Sequence, residues 1–225
     1  MTQHAGVSSS QCDYVLDRQL AQLRPANIVD FGAGAGKIGR MVERALGTSC
    51  QRIAVEGFED AARMLRDNKV YDRVDTALIQ EWLEKDPGRY SVAIFGDVIE
   101  HLTPRQIHAA LKKCLEKFDY IIILVPLHDI FQDDAYGNPL EVHRAYITSG
   151  FFDRYKPVEK HIVEGDEFTI MNLLIPATRQ HKPLYRRLSW RAFHYSMLAL
   201  QPIGLARPTV DLLKRSMRRY KWLLR

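Results

Sequence analysis

The chain has 225 residues, 46% of them apolar, and a formal net charge of +5. That is enough apolar material for one α/β domain with an appendage, and too much for a disordered or fibrous chain. No stretch is long and apolar enough to predict a membrane-crossing helix.

The N-terminus, Met1 to Gln11, is polar and lacks an apolar core, so no secretory leader is expected. Cys12, Cys50 and Cys114 are odd in number and share no motif spacing. They read as reduced thiols of a cytoplasmic protein, neither a disulfide frame nor a zinc site. Tyr14, Leu16, Leu20 and Leu23 recur near helical spacing and Pro25 stops the run, which predicts a first helix.

The next stretch, Asn27 to Lys37, reads N-I-V-D-F-G-A-G-A-G-K and organises the rest. Ile28, Val29 and Phe31 predict a buried strand. Asp30 lies inside it, where a carboxylate is costly to bury without partners. Gly32, Gly34 and Gly36 follow at every second position, and a helical pattern opens at Lys37. Strand, glycine turn and helix together aim free backbone N–H groups and a helix N-terminus at a ligand. A P-loop would need Ser or Thr after Lys37, where Ile38 stands, and a dinucleotide site does not require D-x-G-x-G-x-G.

This pattern resembles the first motif of class I S-adenosylmethionine-dependent methyltransferases. The resemblance implies that the glycine loop packs under the methionine part of S-adenosyl-L-methionine and that Asp30 helps hold its amino group. It implies a Rossmann-like, doubly wound α/β sheet of seven strands in the order 3-2-1-4-5-7-6. The first helix is then expected to cap the cofactor cleft.

Arg52 to Glu56 predicts a second strand ending in an acid, and Asp60 to Arg66 a helix. Glu56 falls about 20 residues past Gly36, where a doubly wound fold places the carboxylate that binds ribose hydroxyls. Val70 to Ile79 holds a third strand, with Glu81-Trp82-Leu83 opening a helix or loop. The resemblance implies an acid near adenine after this strand. Ala77 or Leu78 occupies the expected place and Asp75 comes early, so adenine recognition is left unassigned. Tyr90 to Asp97 predicts a fourth strand, and Thr103-Pro104 a capped helix through Lys117. Tyr120 to Pro126 is a continuous apolar strand suited to the middle of a parallel sheet. A polar loop over 127–143, a short helix over 148–155 and an antiparallel pair at 158–163 and 168–175 complete the expected domain, residues 1–178.

A second constellation, Asp97-x-x-Glu100-His101, sits at a predicted strand end beside the first strand. Three ionisable groups at such an edge are a site candidate. The string resembles many class I methyltransferases acting on small molecules. It also resembles the E-x-x-E-H metal site of small-RNA 2′-O-methyltransferases and of ubiquinone-pathway O-methyltransferases. In the RNA enzymes a later histidine supplies another ligand, and His143-Arg144-Ala145-Tyr146-Ile147-Thr148 is a loose match to its setting. Carboxylates with two histidines can hold Mg²⁺ or Mn²⁺. Asp97 replaces the first Glu, and the same string occurs without metal, so the metal is left open. The metal-free reading takes His101 or His143 as general base beside Glu100, with Asp97 near the cofactor. His128 and His181 read as surface histidines. The 127–143 loop, with Phe131, Tyr136 and Asn138, is the expected acceptor wall.

The segment 179–225 differs from the rest. It carries 12 Lys and Arg against one acid, Asp211. Val210, Leu213, Met217, Tyr220 and Leu224 fall on one helical face, with Trp190 and Trp222 nearby. This basic amphipathic pattern favours peripheral contact with the inner face of a membrane. Its rivals are an RNA-binding arm, which few of these residues suit, and a face that packs on the domain itself or on a second copy in a homo-oligomer. Two function classes follow. One is a methyltransferase acting on an O or N of a small-molecule, glycan or lipid-linked acceptor, with an RNA 2′-O-methyltransferase-like enzyme as its variant. The other is a non-catalytic cofactor-binding module.

Overall fold

The computed structural model describes residues 9–128, 138–165 and 168–177. The basic extension predicted over 179–225, and with it His181, lies outside the described residues, as do Phe131 and Tyr136.

Seven strands form one sheet in the order β3-β2-β1-β4-β5-β7-β6. They are β1 (Asn27–Phe31), β2 (Gln51–Glu56), β3 (Arg73–Thr76), β4 (Tyr90–Gly96), β5 (Phe118–Leu127), β6 (Glu159–Glu164) and β7 (Thr169–Pro176). The first five are parallel, while β7 runs antiparallel between β5 and β6. The implied strand order is therefore the observed one. Helices α1 (Asp13–Leu23), α2 (Lys37–Leu46), α3 (Glu59–Asn68), α4 (Ile79–Lys85) and α5 (Pro104–Lys117) cover the sheet.

The alternation of β1 divides the core between two faces. Val29 and Phe31 point into the larger cluster with Ile53, Val55, Trp82 of α4 and Leu111 of α5. Phe31 stacks on Phe95, ring centroids 4.9 Å apart, and meets Trp82 edge-on at 5.4 Å. On the other face Ala54 packs with Leu65 of α3 and with Val70 and Tyr71. Both faces are covered, which is why β1, β2, β4 and β5 read as apolar runs rather than alternating ones.

The turn chemistry follows the residues. α5 opens with a capping box, Thr103 accepting from the Gln106 backbone N–H while the Gln106 side chain takes the Thr103 N–H, and Pro104 occupies the first turn. α1 ends at Arg24 in the left-handed conformation, just before Pro25. Two expected elements differ. The third strand begins at Arg73, not Val70, because Val70 and Tyr71 turn into the core under α2. The expected helix over 148–155 is a single 3-10 turn, Asp153–Tyr155, in a segment dominated by Gly150 and bulky Phe151, Phe152 and Tyr155, poor helix formers.

Helix α1 lies across β7 and is fastened by a buried polar group. The Gln19 amide donates to Glu159 Oε2 (3.0 Å) and to Asn172 Oδ1 (2.8 Å), and Asn172 Nδ2 donates back to Gln19 Oε1. Arg18 pairs with the same Glu159 at 2.8 Å. Gln19 and Asn172 are fully buried, and their reciprocal bonds satisfy amides that would otherwise be costly there.

Candidate active site

The parallel strands end in register, so Phe31, Val55 and Phe95 stand side by side and the residues after them share one edge. That edge is the carboxyl-end crevice of a doubly wound sheet. It holds a cavity of about 380 Å³ whose walls include Gly32, Gly34, Glu56, Asp97, Glu100, His101 and His143.

The glycine loop forms one wall. Gly32, Gly34 and Gly36 have φ of +69°, +49° and +79°, alternating with ordinary residues. Such alternation folds successive N–H groups toward a common concavity. The Gly34 N–H donates to Glu56 Oε2 at 2.9 Å, and the Phe58 N–H donates to Glu56 Oε1 at 2.9 Å. Burial pushes the Glu56 carboxyl up, and those two N–H groups oppose the shift. Gly36 is not in the cavity wall; it turns the chain into α2, with Leu65 and Tyr71 beneath it.

Asp30 does not face the cavity either. It is fully enclosed below the loop, where its Oδ2 accepts from the Tyr71 hydroxyl, and that hydroxyl in turn accepts from the Gly39 N–H of α2. Asp30 therefore ties strand, loop and helix together. Burial pushes its carboxyl up to about 7. A carboxyl raised from the 3.8 of an exposed chain stabilises the fold most at low pH, and that contribution is lost as pH rises from about 4 to about 7. Asp30→Asn can still accept from Tyr71 but cannot ionise. Relative to wild type, the variant is expected to gain several degrees in Tm between pH 5 and pH 8. Thermal melts of both proteins at the two pH values check this; a constant difference excludes it.

Asp97 follows the last residue of β4 with φ of +48°, a conformation that a non-glycine residue holds only when its surroundings impose it. One of its oxygens accepts the Ser9 N–H at 2.8 Å, and Oδ1 has no hydrogen-bond partner among the described residues. Burial pushes its carboxyl up to about 6, opposed by the Ser9 N–H and by Lys37. The Lys37 ammonium reaches Asp13 at 2.6 Å and the Ser9 carbonyl at 2.5 Å. Ser9 itself lines the cavity, so the segment entering α1 covers the cleft, as expected of a cap helix.

Glu100, His101 and His143 also stand in the cavity wall. Glu100 and His101 lie in a single 3-10 turn, Ile99–His101. The Arg144 and Ala145 N–H groups donate to the Glu100 carbonyl at 2.8 and 3.0 Å, which folds the 138–145 loop back over this turn. His143 thereby stands beside His101, ring centroids 4.9 Å apart. One ligand atom each of Glu100, His101 and His143 lies within 4.8 Å of the others. Bonds of about 2.1 Å to a shared cation would draw such atoms to roughly 3 Å of one another, a side-chain adjustment rather than a backbone one. Asp97, the fourth residue of the predicted constellation, is not in this cluster. Glu141 approaches His101 alone, its Oε2 3.9 Å from His101 Nε2. Burial holds His101 below its ordinary value, while the backbone carbonyls of Val142, Asp97 and Glu141 favour the protonated ring. The residues predicted as cofactor-binding and catalytic thus fall into three groups: Gly32, Gly34, Glu56 and Asp97 on the cavity; Glu100, His101 and His143 clustered in its wall; Asp30 and Gly36 beneath the loop.

No protein family matches the chain, and no curated protein matches it by sequence. Solved structures do match. The N-terminal domain of EvdMO1, in the presence of SAH and D-fucose, superposes with a TM-score of 0.57 over 77% of this chain and 85% of that one, at 14% identity. The plantazolicin methyltransferase BpumL in complex with SAH gives 0.55 over 74% and 82%, at 11% identity. An O-methyltransferase family protein from Burkholderia thailandensis gives 0.52 over 73% of this chain and 55% of that one, at 12% identity. This is the class I methyltransferase fold. Gly34, Gly36 and Gly39 also spell the dinucleotide spacing G-x-G-x-x-G. In the class I methyltransferase fold observed here, Gly39 instead makes room for Tyr71, whose ring would lie 2.5 Å from an added Cβ.

Proposed function

We propose that this chain is an S-adenosylmethionine-dependent methyltransferase that methylates an oxygen or nitrogen of a small-molecule acceptor. The observation that carries the reading is one cavity lined both by Gly32, Gly34, Glu56 and Asp97 and by the cluster of Glu100, His101 and His143. A fold shared with proteins solved with SAH, one of them in the presence of D-fucose, supports both the cofactor and a small, sugar-like acceptor class.

When bound, S-adenosylmethionine supplies an activated methyl and carries its own leaving group, SAH. The chain's part is placement and proton handling. Glu56, already an acceptor from two backbone N–H groups, offers its carboxylate to the ribose hydroxyls. Asp97, in the same cavity wall, would turn its carboxylate toward the cationic methionine end. With the cofactor bound, neutral His101 would take the proton that the acceptor hydroxyl or amine gives up on methylation. Glu141, at 3.9 Å, stabilises the imidazolium that results. The glycine loop and the 138–145 loop, which both contribute to the cavity wall, would position the two reactants.

The clustering of Glu100, His101 and His143 favours a second reading of the same cavity, in which the three hold a divalent cation that orients the acceptor oxygen. A glycan or lipid-linked acceptor fits the same chemistry. The basic segment 179–225 supports a cytoplasmic enzyme that touches an anionic membrane peripherally, and no helix among the described residues is long and apolar enough to cross one.

Calorimetry is expected to show SAH binding at micromolar level with no uptake of NAD; NAD binding without SAH binding sinks the proposal. Elemental analysis and activity in a chelator then separate the two versions. Turnover indifferent to the chelator in metal-free protein leaves His101 acting as a base alone.

A further inference from the structure

The loop that carries His143 to His101 also crosses the cleft. Its later part is fixed after β4, where the Arg144 and Ala145 N–H groups donate to the Glu100 carbonyl. Its earlier part reaches the end of β2. There Leu140 Cδ1 lies 2.8 Å from the position that a Cβ on Gly57 would take, and Leu78 Cδ2, from beyond β3, lies 3.1 Å from the same position. β1 stands between β2 and β4. Residues 140–144 therefore span the carboxyl edge past the end of β1, a distance of about 10 Å that four extended residues can cover.

Two features of the sequence make this crossing. Pro139 opens a 3-10 turn, Pro139–Glu141, and the buried Asn138 caps it. Asn138 Oδ1 accepts the Leu140 N–H at 3.0 Å, and its Nδ2 donates to Glu141 Oε1 at 3.2 Å. Gly57 supplies the notch. It is not among the glycines with positive φ, so the backbone there does not demand glycine; what it lacks is a side chain, and Leu140 fills that space. The seat is apolar and shallow. Among the described residues no hydrogen bond joins the turn to Gly57 or Leu78, and Leu140 and Leu78 stay 37% and 42% exposed. A contact of that kind opens at small cost. Gly57 follows Glu56 directly, and all three residues line the cavity, so Leu140 in its notch stands over the approach to the Glu56 carboxylate.

Building on the cofactor reading above, we propose that the Pro139–Glu141 turn is a gate: Leu140 plugs the notch at Gly57 while the cavity is empty and leaves it when a nucleoside ligand reaches Glu56. The Asn138 bonds keep the tip of the turn together as it lifts. Residues 144 and 145 stay on the Glu100 carbonyl as the pivot. Glu141, nearer that fixed side, keeps its place beside His101.

The test uses wild type, Leu140→Ala and Leu78→Ala, each variant shortening one exposed side chain of the seat. Stopped-flow mixing with SAH reads the gate directly. In wild type, opening precedes binding, so the observed rate is expected to level off as SAH rises. Both variants are expected to raise that plateau about tenfold and to bind SAH at least as tightly as wild type, because less of the protein is held shut. Hydrogen exchange of the free proteins reads it without ligand: the Glu141 amide is expected to exchange about tenfold faster in the variants, with Ala145 unchanged. A wild-type rate linear in SAH, variants that bind more weakly through faster dissociation, or an unchanged Glu141 amide overturns the gate while the cofactor reading stands. If none of the three proteins binds SAH, both fall.

Discussion

Gly34→Val is expected to abolish SAH binding while leaving the fold intact. A β-branched residue at φ of +49° is strained by about 1–3 kcal/mol. The loop relieves that strain by turning its N–H away from Glu56, and the new side chain enters the cavity that Gly34 lines. The two effects together weaken binding about 100-fold or more. Circular dichroism and calorimetry on the same sample check it, and a variant that binds within tenfold of wild type refutes it. The neighbouring glycines do not separate binding from stability in this way. A Cβ on Gly32 would sit 2.3 Å from Val98 Cγ2, and one on Gly36 would sit 3.0 Å from Leu65, so substitutions there disturb the core as well.

His101→Ala is expected to lower kcat by about 100- to 10,000-fold for any acceptor that the wild type methylates. SAH affinity should stay within about twofold, because the groups proposed to hold the cofactor are Gly34, Glu56 and Asp97. The base must be neutral to act, and burial holds His101 below its ordinary 6.5. The acid limb of kcat/KM in the wild type therefore falls below pH 6.5, with activity lost as pH drops through it, and this limb is absent from the variant. Equal loss of kcat and of SAH affinity would assign His101 to binding rather than to proton transfer.

Much of this site could be read from local pattern. The alternating glycines require positive φ, and the strand-end acids Glu56 and Asp97 lie where a parallel sheet exposes its carboxyl edge. What could not be read depends on which face a side chain takes and on where loops return. Asp30 sits in a strand covered on both faces, so no polar–apolar alternation tells which layer it enters. It enters the Tyr71 layer, away from the cavity. Glu141 joins His101 only because the Glu100 carbonyl captures the N–H groups of residues 144 and 145, a contact 44 residues distant that no spacing announces.

The placement of β7 governs the order in which the molecule can be completed. The apolar strand β5 pairs on one side with β4 and on the other with β7, Tyr120 opposite Pro176 and Leu127 opposite Thr169. During synthesis the first five strands emerge well before β7. The growing chain therefore carries an exposed, highly apolar sheet edge of the kind that recruits other chains. Helix α1 precedes its anchor, Asn172, by 153 residues. The helix behind the cover of the cleft is thus fastened only once β7 has joined β5 and sealed the open edge.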